Sequence, residues 1–348
     1  MKKLRNPVTA MMLLWAAGSA AASGAAPDSA APQAALPPPV FHHLHLNVVD
    51  PDAMIVFLNR QFPSTSRTTW GGLPALASPT NVLILFNKVS TPPPSDPSTT
   101  AFWHFGWLVQ DERRNLELYR TRPEVKLAPL YTTDAGGYVY INSDTWPGTG
   151  GVLGLTKAQI AQAKAAGVKP LGGAGFAYIL GPENTLIEYA GDSPVEHFNH
   201  VHMSEQDPYC AQQWYQQHLE AAIPPPANPQ NTPAVTQHSQ ADCKVARTPD
   251  RSWPALTREG MYRAPVAGVR FGDVALMWYA PQIDQPLQPT RGHLMDHIGL
   301  GVTDLDAWVA KLKKEGVTFL RQPYRLGTTR AAMIDGPSHE AIELVEVQ

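Results

Sequence analysis

The sequence is poor in charge and in cysteine. Only 16% of its 348 residues are charged, and its formal net charge is −3 at pH 7. No excess of lysine and arginine is therefore present to bind nucleic acid or an anionic membrane surface. With two cysteines in the chain, metal sites built from several thiolates are also excluded. These absences favour a small-molecule substrate as the partner.

The sequence also lacks a hydrophobic run long enough to cross a bilayer, which takes about 20 apolar residues. At the N-terminus, Lys2, Lys3 and Arg5 precede the short apolar stretch VTAMMLLWAA, and the small residues AAASGAA follow. This order is typical of a signal peptide. We predict a signal peptide over residues 1–22 and an Ala/Pro-rich linker over 23–40. The protein is then exported, periplasmic or secreted, with no stable membrane insertion; the alternative is a cytosolic protein with a disordered Ala-rich tail.

The expected export also predicts the oxidation state of the two cysteines. In an oxidising compartment Cys210 and Cys243, 33 residues apart, are expected to form a disulfide. By the loop-entropy model such a bond contributes about 3 to 4 kcal/mol. Two free buried thiols are the alternative.

Four segments open in the same way, and we interpret them as four copies of one module. They read HHLHLNVVDP, FWHFGWLVQDE, FNHVHMSEQDP and MDHIGLGVTDL, and in each a histidine precedes an aspartate by seven residues. The pairs are His43 and Asp50, His104 and Asp111, His200 and Asp207, and His297 and Asp304. Chance does not account for four matched spacings among twelve histidines, so the chain contains an internal repeat.

Each copy is expected to fold as a βαβββ module. The openings predict a strand, and the stripe of Leu305, Trp308, Val309 and Leu312 predicts a helix after it in the fourth copy. The segments TNVLILFN, GPENTLIEYAG, GDVALMWYAP and GPSHEAIELVE predict closing strands. Module two carries an insertion, with a helix in TKAQIAQAKAAG and a loop at WPGTGG.

One such module is too small to bury its own sheet, so the modules must pair. We predict an α+β fold in which module one pairs with module two and module three pairs with module four. The two resulting domains cover residues 41–192 and 193–348.

Histidines and glutamates of the repeats are candidate metal ligands. Because side chains alternate along a strand, His43 and His45 share a face, and so do His200 and His202. Glutamates occupy equivalent places in the closing strands of modules two and four, where a buried carboxylate needs a partner. The predicted pairing gives two equal sets of metal ligands: His43, His104 and Glu188 in one domain, and His200, His297 and Glu343 in the other.

Two histidines and one carboxylate form the triad that favours Fe(II), with Mn(II) or Zn(II) as alternatives. A single histidine in such a place is readily explained as a core imidazole with a satisfied hydrogen bond. The fourfold spacing with two matched glutamates favours the metal interpretation. His45 and His202 are candidates for moving a proton on a bound substrate; their alternative role is ligand support or packing.

The opening of the type DH-I-G-L-G-V-T-D and the closing strand of the type GP-x-x-x-x-I-E resemble those of the vicinal oxygen chelate superfamily. This superfamily includes glyoxalase I, bleomycin-resistance proteins and the type I extradiol dioxygenases, and the resemblance covers residues 41–347. It implies paired βαβββ modules that form cups of curved sheet around a divalent metal. It also implies substrates that chelate the metal through two adjacent oxygens.

A chain of four modules resembles the extradiol dioxygenases most, and this resemblance places the metal on His200, His297 and Glu343. The extradiol enzymes normally leave the first domain without a metal, whereas the first set here looks equally complete. Their active-site tyrosine stands ten residues before the glutamate. Tyr178 holds that place before Glu188, but Met333 holds it before Glu343. Tyr178 is therefore a candidate catalytic residue, with core packing as its alternative role.

Three functions follow from these expectations. The first is an exported extradiol-type dioxygenase that cleaves a small diol or catechol-like substrate with Fe(II) and oxygen. The second is an oxygen-independent lyase or isomerase in which the metal acts as a Lewis acid. The third is a protein that sequesters a small ligand, and the two complete triads disfavour it. Glutathione-dependent chemistry is disfavoured for an exported protein because that thiol is cytosolic.

Overall fold

The computed structural model of the chain describes residues 36–95, 99–127, 131–132, 155–168, 176–191, 193–223, 237–243, 263–281 and 286–347. The predicted signal peptide and the linker before residue 36 lie outside these ranges, as does the WPGTGG segment. Residues Leu36–Gln348 form one compact unit. Among the described helices none is both long and apolar enough to cross a membrane.

Module one folds as predicted. Its elements are β1 (Val40–Val48), α1 (Pro51–Gln61), β2 (Ser66–Trp70), β3 (Leu73–Ala77) and β4 (Leu83–Lys88). Helix α1 begins after Asp50, whose side chain accepts a hydrogen bond from the Ala53 amide at 3.0 Å, and Pro51 occupies the first turn. In module one the repeated aspartate is therefore a helix cap, which fits its position seven residues after the strand histidine.

Module two has the same plan with the predicted insertion. Its described elements are β5 (Phe102–Leu108), α2 (Glu112–Arg120), β6 (Lys126–Leu127), β7 (Tyr131–Thr132), β8 (Leu155–Thr156), α3 (Lys157–Ala165), β9 (Phe176–Leu180) and β10 (Leu186–Ala190). Within the described residues, strands β7 and β8 pair only with each other, so they are an addition to the module. Helix α3 confirms the helix predicted in TKAQIAQAKAAG.

Module three contains β11 (His197–Ser204), α4 (Pro208–Leu219), α5 (Gln240–Cys243), β12 (Arg263–Phe271) and β13 (Val274–Ala280). Here Asp207 precedes the helix but makes no side-chain cap. A disulfide joins Cys210 to Cys243 and ties α4 to α5. The predicted disulfide is confirmed.

Module four repeats the plan of module one, with β14 (Met295–Val302), α6 (Leu305–Lys314), β15 (Phe319–Leu326), β16 (Thr329–Asp335) and β17 (Ala341–Glu346). Asp304 caps α6 by accepting from the Ala307 amide at 2.9 Å, and Gly316 follows the helix with a φ of 78°. The apolar stripe of α6 is buried as predicted.

The modules pair differently from the prediction. One sheet has eight strands in the order β15-β16-β17-β14-β1-β4-β3-β2, and the other has seven in the order β12-β13-β11-β5-β10-β9-β6. Strand β1 is antiparallel to β14, and β5 is antiparallel to β11. Module one therefore pairs with module four, and module two pairs with module three. The division into residues 41–192 and 193–348 is wrong for the sheets, because each sheet takes strands from both ranges.

One hydrophobic core joins strands from both sheets. The Phe41 and Phe198 rings stack across it with centroids 5.8 Å apart. The β1–β14 and β11–β5 ladders shift register after these phenylalanines, so that the following His43 and His200 leave the core side of their strands. Burying each such aromatic side chain stabilises the fold by about 1.5 to 3 kcal/mol. The same register shift thus lets the phenylalanine pack in the core and the histidine two residues later face the site.

A buried polar cluster connects module three to module four. Tyr215 of α4 donates a hydrogen bond to Glu340 Oε1 at 2.7 Å, and the Ser338 amide donates to Glu340 Oε2 at 2.7 Å. The Ser338 hydroxyl donates to Glu205. Burial raises the pKa of Glu340 to about 8 and also raises the pKa of Glu205. Near neutral pH Glu340 is therefore predominantly protonated.

This cluster predicts how stability depends on pH. The pKa of Glu340 is higher in the folded chain than its ordinary value of 4.5, so its contribution is full below about pH 4.5 and is lost as pH rises through about 8. Glu340→Gln cannot ionise, and its stability should fall less between pH 5 and 9. We expect the difference between variant and parent to change by at least about 1 kcal/mol over this range, the free energy of one pKa unit. Urea unfolding at several pH values measures it.

Glu117→Gln on the exposed face of α2 is the control for that experiment, because Glu117 lies in solvent. A Glu340→Gln profile parallel to that of the parent would contradict the assignment.

Candidate metal centres

One cluster of donor atoms lies where β5 meets β11, and we name it the β5–β11 centre. It comprises His104, Glu188, His200 and His202, each of which offers a ligand atom within 4.8 Å of all the others. His104 Nε2 lies 2.9 Å from Glu188 Oε2, and His200 Nε2 and His202 Nδ1 each lie 3.6 Å from the same oxygen. Three imidazoles and one carboxylate thus converge on a single point.

The wall of the β5–β11 centre is aromatic. Tyr178 pairs with Glu188 across β9 and β10, and its hydroxyl donates to Glu188 Oε2 at 2.7 Å. Trp103 packs against the His104 ring with centroids 4.4 Å apart, and Tyr279 packs against His202 at 5.1 Å. Tyr178 therefore orients the carboxylate, and the surrounding rings keep water from most of the site.

A second cluster lies where β1 meets β14, and we name it the β1–β14 centre. It comprises His43, His45, His297 and Glu343. Glu343 Oε2 lies 3.4 Å from His43 Nε2 and 3.7 Å from His297 Nε2. The three histidines have donor atoms within 4.8 Å of one another, and the His45 and His297 rings stack at 4.3 Å. The two centres thus have the same composition.

Charged and polar groups surround the β1–β14 centre. Asp296 Oδ1 lies 2.6 Å from His297 Nδ1 and accepts from Arg291 Nη1 at 2.6 Å. This contact directs His297 Nε2 towards Glu343, an arrangement typical of metal-ligating histidines. The hydroxyl of Tyr324 on β15 donates to Glu343 Oε1. Trp70 of β2 packs on the His43 ring with centroids 5.6 Å apart.

Two glycines make room for the histidines of the partner strand. A Cβ atom at Gly299 would lie 2.0 Å from the His43 ring, and one at Gly106 would lie 2.4 Å from His200 Nε2. Residues pair as His43 with Gly299 in one ladder and as His200 with Gly106 in the other. Any larger residue would push these imidazoles out of place, so the short strand motif His-x-Gly is required opposite His-x-His.

Burial governs the protonation of most of these groups. It lowers the pKa of His104 and of His45, to about 4 and about 3, and it lowers the pKa of His43 and His202 well below the usual value. These imidazoles are neutral at pH 7, the state that binds metals. Burial alone would raise the pKa of Glu188, but His200, His104 and His202 together hold it well below its usual range.

His297 differs from the other histidines. Burial lowers its pKa, but the hydrogen bond with Asp296 and the nearby carboxylate of Glu343 outweigh that effect and raise it. Burial also raises the pKa of Tyr324, with Glu343 adding to the shift and Arg321 and Arg291 opposing it.

The donor atoms fit a divalent cation. His43 Nε2, His200 Nε2, His202 Nδ1, His297 Nε2 and Glu343 Oε2 are buried and make no hydrogen bond within the described part of the chain. Unpaired buried polar atoms are costly, and in native proteins each needs a partner. Imidazole and carboxylate together suit Zn(II), Fe(II) and Mn(II). A cation at each centre would give all of these atoms that partner.

The structure brings together every predicted ligand, but in different combinations. His43 meets His297 and Glu343, and His104 meets Glu188 and His200. The predicted sets of His43, His104 and Glu188 and of His200, His297 and Glu343 are therefore wrong as groupings, because the modules pair one with four and two with three. The extradiol set of His200, His297 and Glu343 is likewise divided between two sheets.

His45 and His202 lie within the donor clusters, not apart from them, and Tyr178 contacts Glu188 as its spacing suggested. Tyr324 and Asp296 were not among the site residues predicted from the sequence. Tyr324 lies on β15, whereas Met333, the residue ten positions before Glu343, lies on β16. The ten-residue spacing therefore could not locate Tyr324. Asp296 was detectable, since it directly precedes a strand histidine.

Comparisons with known proteins identify the family and the fold. The sequence profile of the Glyoxalase/Bleomycin resistance protein/Dioxygenase superfamily matches residues 147–344, which is more than half of the chain. The chain belongs to this superfamily, and the resemblance drawn from its motifs is confirmed. A search of curated protein sequences finds no match.

Among solved structures, glyoxalase I from Zea mays has the same fold. It superposes with a TM-score of 0.54 and 14% identity, covering 88% of this chain and 92% of that chain. A putative dioxygenase from Bacillus subtilis gives a TM-score of 0.47 and 10% identity, covering 90% and 86%. A glyoxalase/dioxygenase from Nostoc punctiforme gives 0.28 and 16%, covering 43% and 90%. At 14% identity the likeness to the Zea mays enzyme is one of fold.

The glycines provide a test of how the modules pair. Gly299→Ala should displace His43 and reduce metal binding at the β1–β14 centre about tenfold or more, and Gly106→Ala should displace His200 and do the same at the β5–β11 centre. Metal content after dialysis at graded free Zn(II) measures both, with circular dichroism to check folding. Gly272→Ala is the control, since a Cβ atom there meets nothing within 4 Å, although its positive φ costs some stability. Equal metal binding in all three variants would contradict the pairing of these strands at the centres.

Proposed function

We propose that the chain is a metal-dependent enzyme that binds one divalent cation at each centre and takes a small substrate through two adjacent oxygens. The observation that carries this proposal is the convergence of three buried imidazoles and one carboxylate at the β5–β11 centre, with imidazole nitrogens that lack hydrogen bonds. A bound divalent cation supplies a Lewis acid that polarises the substrate oxygens.

The number of donors favours an oxygen-independent isomerase or lyase. His104, His200, His202 and Glu188 would fill four of six positions around an octahedral cation, which leaves two. Two adjacent substrate oxygens use both, so no position is left for molecular oxygen. The loss of the extradiol ligand set, divided between the sheets, removes the main argument from sequence for ring cleavage.

The chain's own groups supply the proton transfer that such a reaction needs. The Tyr178 hydroxyl lies 2.7 Å from Glu188 Oε2 and 3.4 Å from His104 Nε2, beside the point where the donors converge. It is a hydroxyl that both donates and accepts, and we assign to it the transfer of a proton to or from the substrate. An isomerisation moves one proton between two substrate atoms and needs no further reactant.

An extradiol-type dioxygenase is the second candidate. If His202 stays outside the coordination sphere, His104, His200 and Glu188 form a triad of two histidines and one carboxylate with three open positions. This arrangement suits Fe(II), a catechol-like diol and oxygen. His202, and His45 at the other centre, would then be free to move protons, as their sequence positions suggested.

The two candidates predict different chemistry. With Zn(II) or Mn(II) and no oxygen, the protein should exchange the C–H proton beside the carbonyl of a small α-hydroxyketone such as hydroxyacetone with D₂O, as followed by NMR. Tyr178→Phe should slow this exchange at least about a hundredfold, the usual effect of losing a general acid or base, without changing metal content. Oxygen uptake with Fe(II) and catechol, with no exchange in the anaerobic sample, would instead establish the dioxygenase.

Metal content tests the ligand assignment. We expect about two ions per chain, and each of Glu188→Gln and Glu343→Gln should remove one by taking away the only anionic ligand of a centre. Adding His200→Ala to Glu188→Gln should remove no more, and neither should His43→Ala added to Glu343→Gln, because each pair serves one centre.

The control for this experiment is Glu340→Gln, a buried glutamate outside both clusters, which should keep both ions. Unchanged metal content in the two single glutamate variants would leave the sequestering protein as the better explanation, and binding of a small ligand by metal-free protein would support it.

A further inference from the structure

The two centres share their ligands but differ in what lies around them. The residue before the strand histidine is Trp103 in module two and Asp296 in module four. At the β5–β11 centre the adjoining side chains are aromatic rings, Trp103, Tyr178 and Tyr279. At the β1–β14 centre the corresponding places hold the ion pair of Asp296 with Arg291, and Tyr324 with Arg321 stacked on it.

Arg321 lies near the β1–β14 centre, to which Tyr324 connects it. Its guanidinium carbon lies 3.7 Å from the centroid of the Tyr324 ring, and the hydroxyl of that ring reaches Glu343. Strand β15 is exposed along most of its length, and Arg321 is itself exposed to solvent. An arginine held on an aromatic ring presents its fork of N–H donors in a fixed direction.

The charges near this centre leave Arg321 uncompensated. Asp296 is paired with Arg291 at 2.6 Å. The charge of Glu343 would be compensated by the bound cation. Within the described ranges no carboxylate forms an ion pair with Arg321, and its charge is therefore available to a ligand.

We infer that the β1–β14 centre takes a substrate that carries a carboxylate beside its two adjacent oxygens, and that Arg321 binds this carboxylate. The inference rests on the proposed function, since it requires that the oxygens chelate a cation at this centre. The aromatic wall of the β5–β11 centre favours an uncharged ligand. Arginine and carboxylate match in planar geometry and form charge-assisted hydrogen bonds, so the preference should be large enough to measure.

The test uses Zn(II)-loaded Glu188→Gln protein, in which only the β1–β14 centre is expected to hold metal, as confirmed by metal analysis. Calorimetry compares 3,4-dihydroxybenzoate, which carries a carboxylate, with 4-methylcatechol, which is uncharged. We expect the carboxylate probe to bind at least about tenfold more tightly, and the added change Arg321→Gln to weaken its binding about tenfold while leaving 4-methylcatechol unaffected. Arg325→Gln, also exposed on β15, is the matched control and should change neither probe.

Three results would overturn the inference. Equal binding of the two probes, or equal weakening of both by Arg321→Gln, would show that Arg321 does not bind the carboxylate. Chelation of the probes by the cation would remain supported. If the centre holds Zn(II) and neither probe binds, the proposed function fails together with the inference. In Glu343→Gln protein, where only the β5–β11 centre remains, the preference for the carboxylate probe should disappear.

Discussion

Both centres depend on the antiparallel pairing of a strand that carries two histidines with a strand that carries a histidine and a glycine. The imidazole of His43 or His200 occupies space that only a glycine leaves open on the facing strand. The pairing also sets His45 opposite His297 and His202 opposite His104. Closing strands β17 and β10 then lie parallel to the histidine–glycine strands and bring their glutamates into the same space. The remaining elements hold these three strands in register.

The nested order of the modules makes the two centres parts of one folded unit. Modules one and four come from opposite ends of the described chain, and they enclose modules two and three in sequence. The cores of the two sheets are continuous, with Phe41 of one stacked on Phe198 of the other. Buried groups such as Tyr215 and Glu340 further connect module three to module four. Neither sheet is therefore contained in a single half of the sequence, and neither half is expected to form a centre alone.

The repeat made the modules and the six candidate ligand residues predictable, because both depend on local spacing. The disulfide was predicted from the expected export of a chain with two cysteines. The pairing was not predictable in the same way. Modules one and three carry His-x-His, whereas modules two and four carry His-x-Gly and the glutamate. Joining one with two or one with four gives the same complement of histidines, a glycine and a glutamate, so the local pattern fits both schemes equally. What distinguishes them is the long-range course of the chain, which no short motif encodes.

The differences between the two centres, unlike the pairing of the modules, can be seen in the local sequence. Module four has Asp296 where module two has Trp103, and Met333 where module two has Tyr178. At the first of these positions module four has a carboxylate in place of an aromatic ring. This carboxylate orients His297 and forms an ion pair with Arg291. The second difference leaves β16 without this tyrosine. Tyr324 on the neighbouring strand β15 donates its hydroxyl to Glu343 instead, and Arg321 stacks on its ring. Tyr324 thus orients the Glu343 carboxylate and also holds the Arg321 guanidinium near the centre. Equal ligand sets with unequal surroundings are what two centres need if they share a metal chemistry but take different substrates.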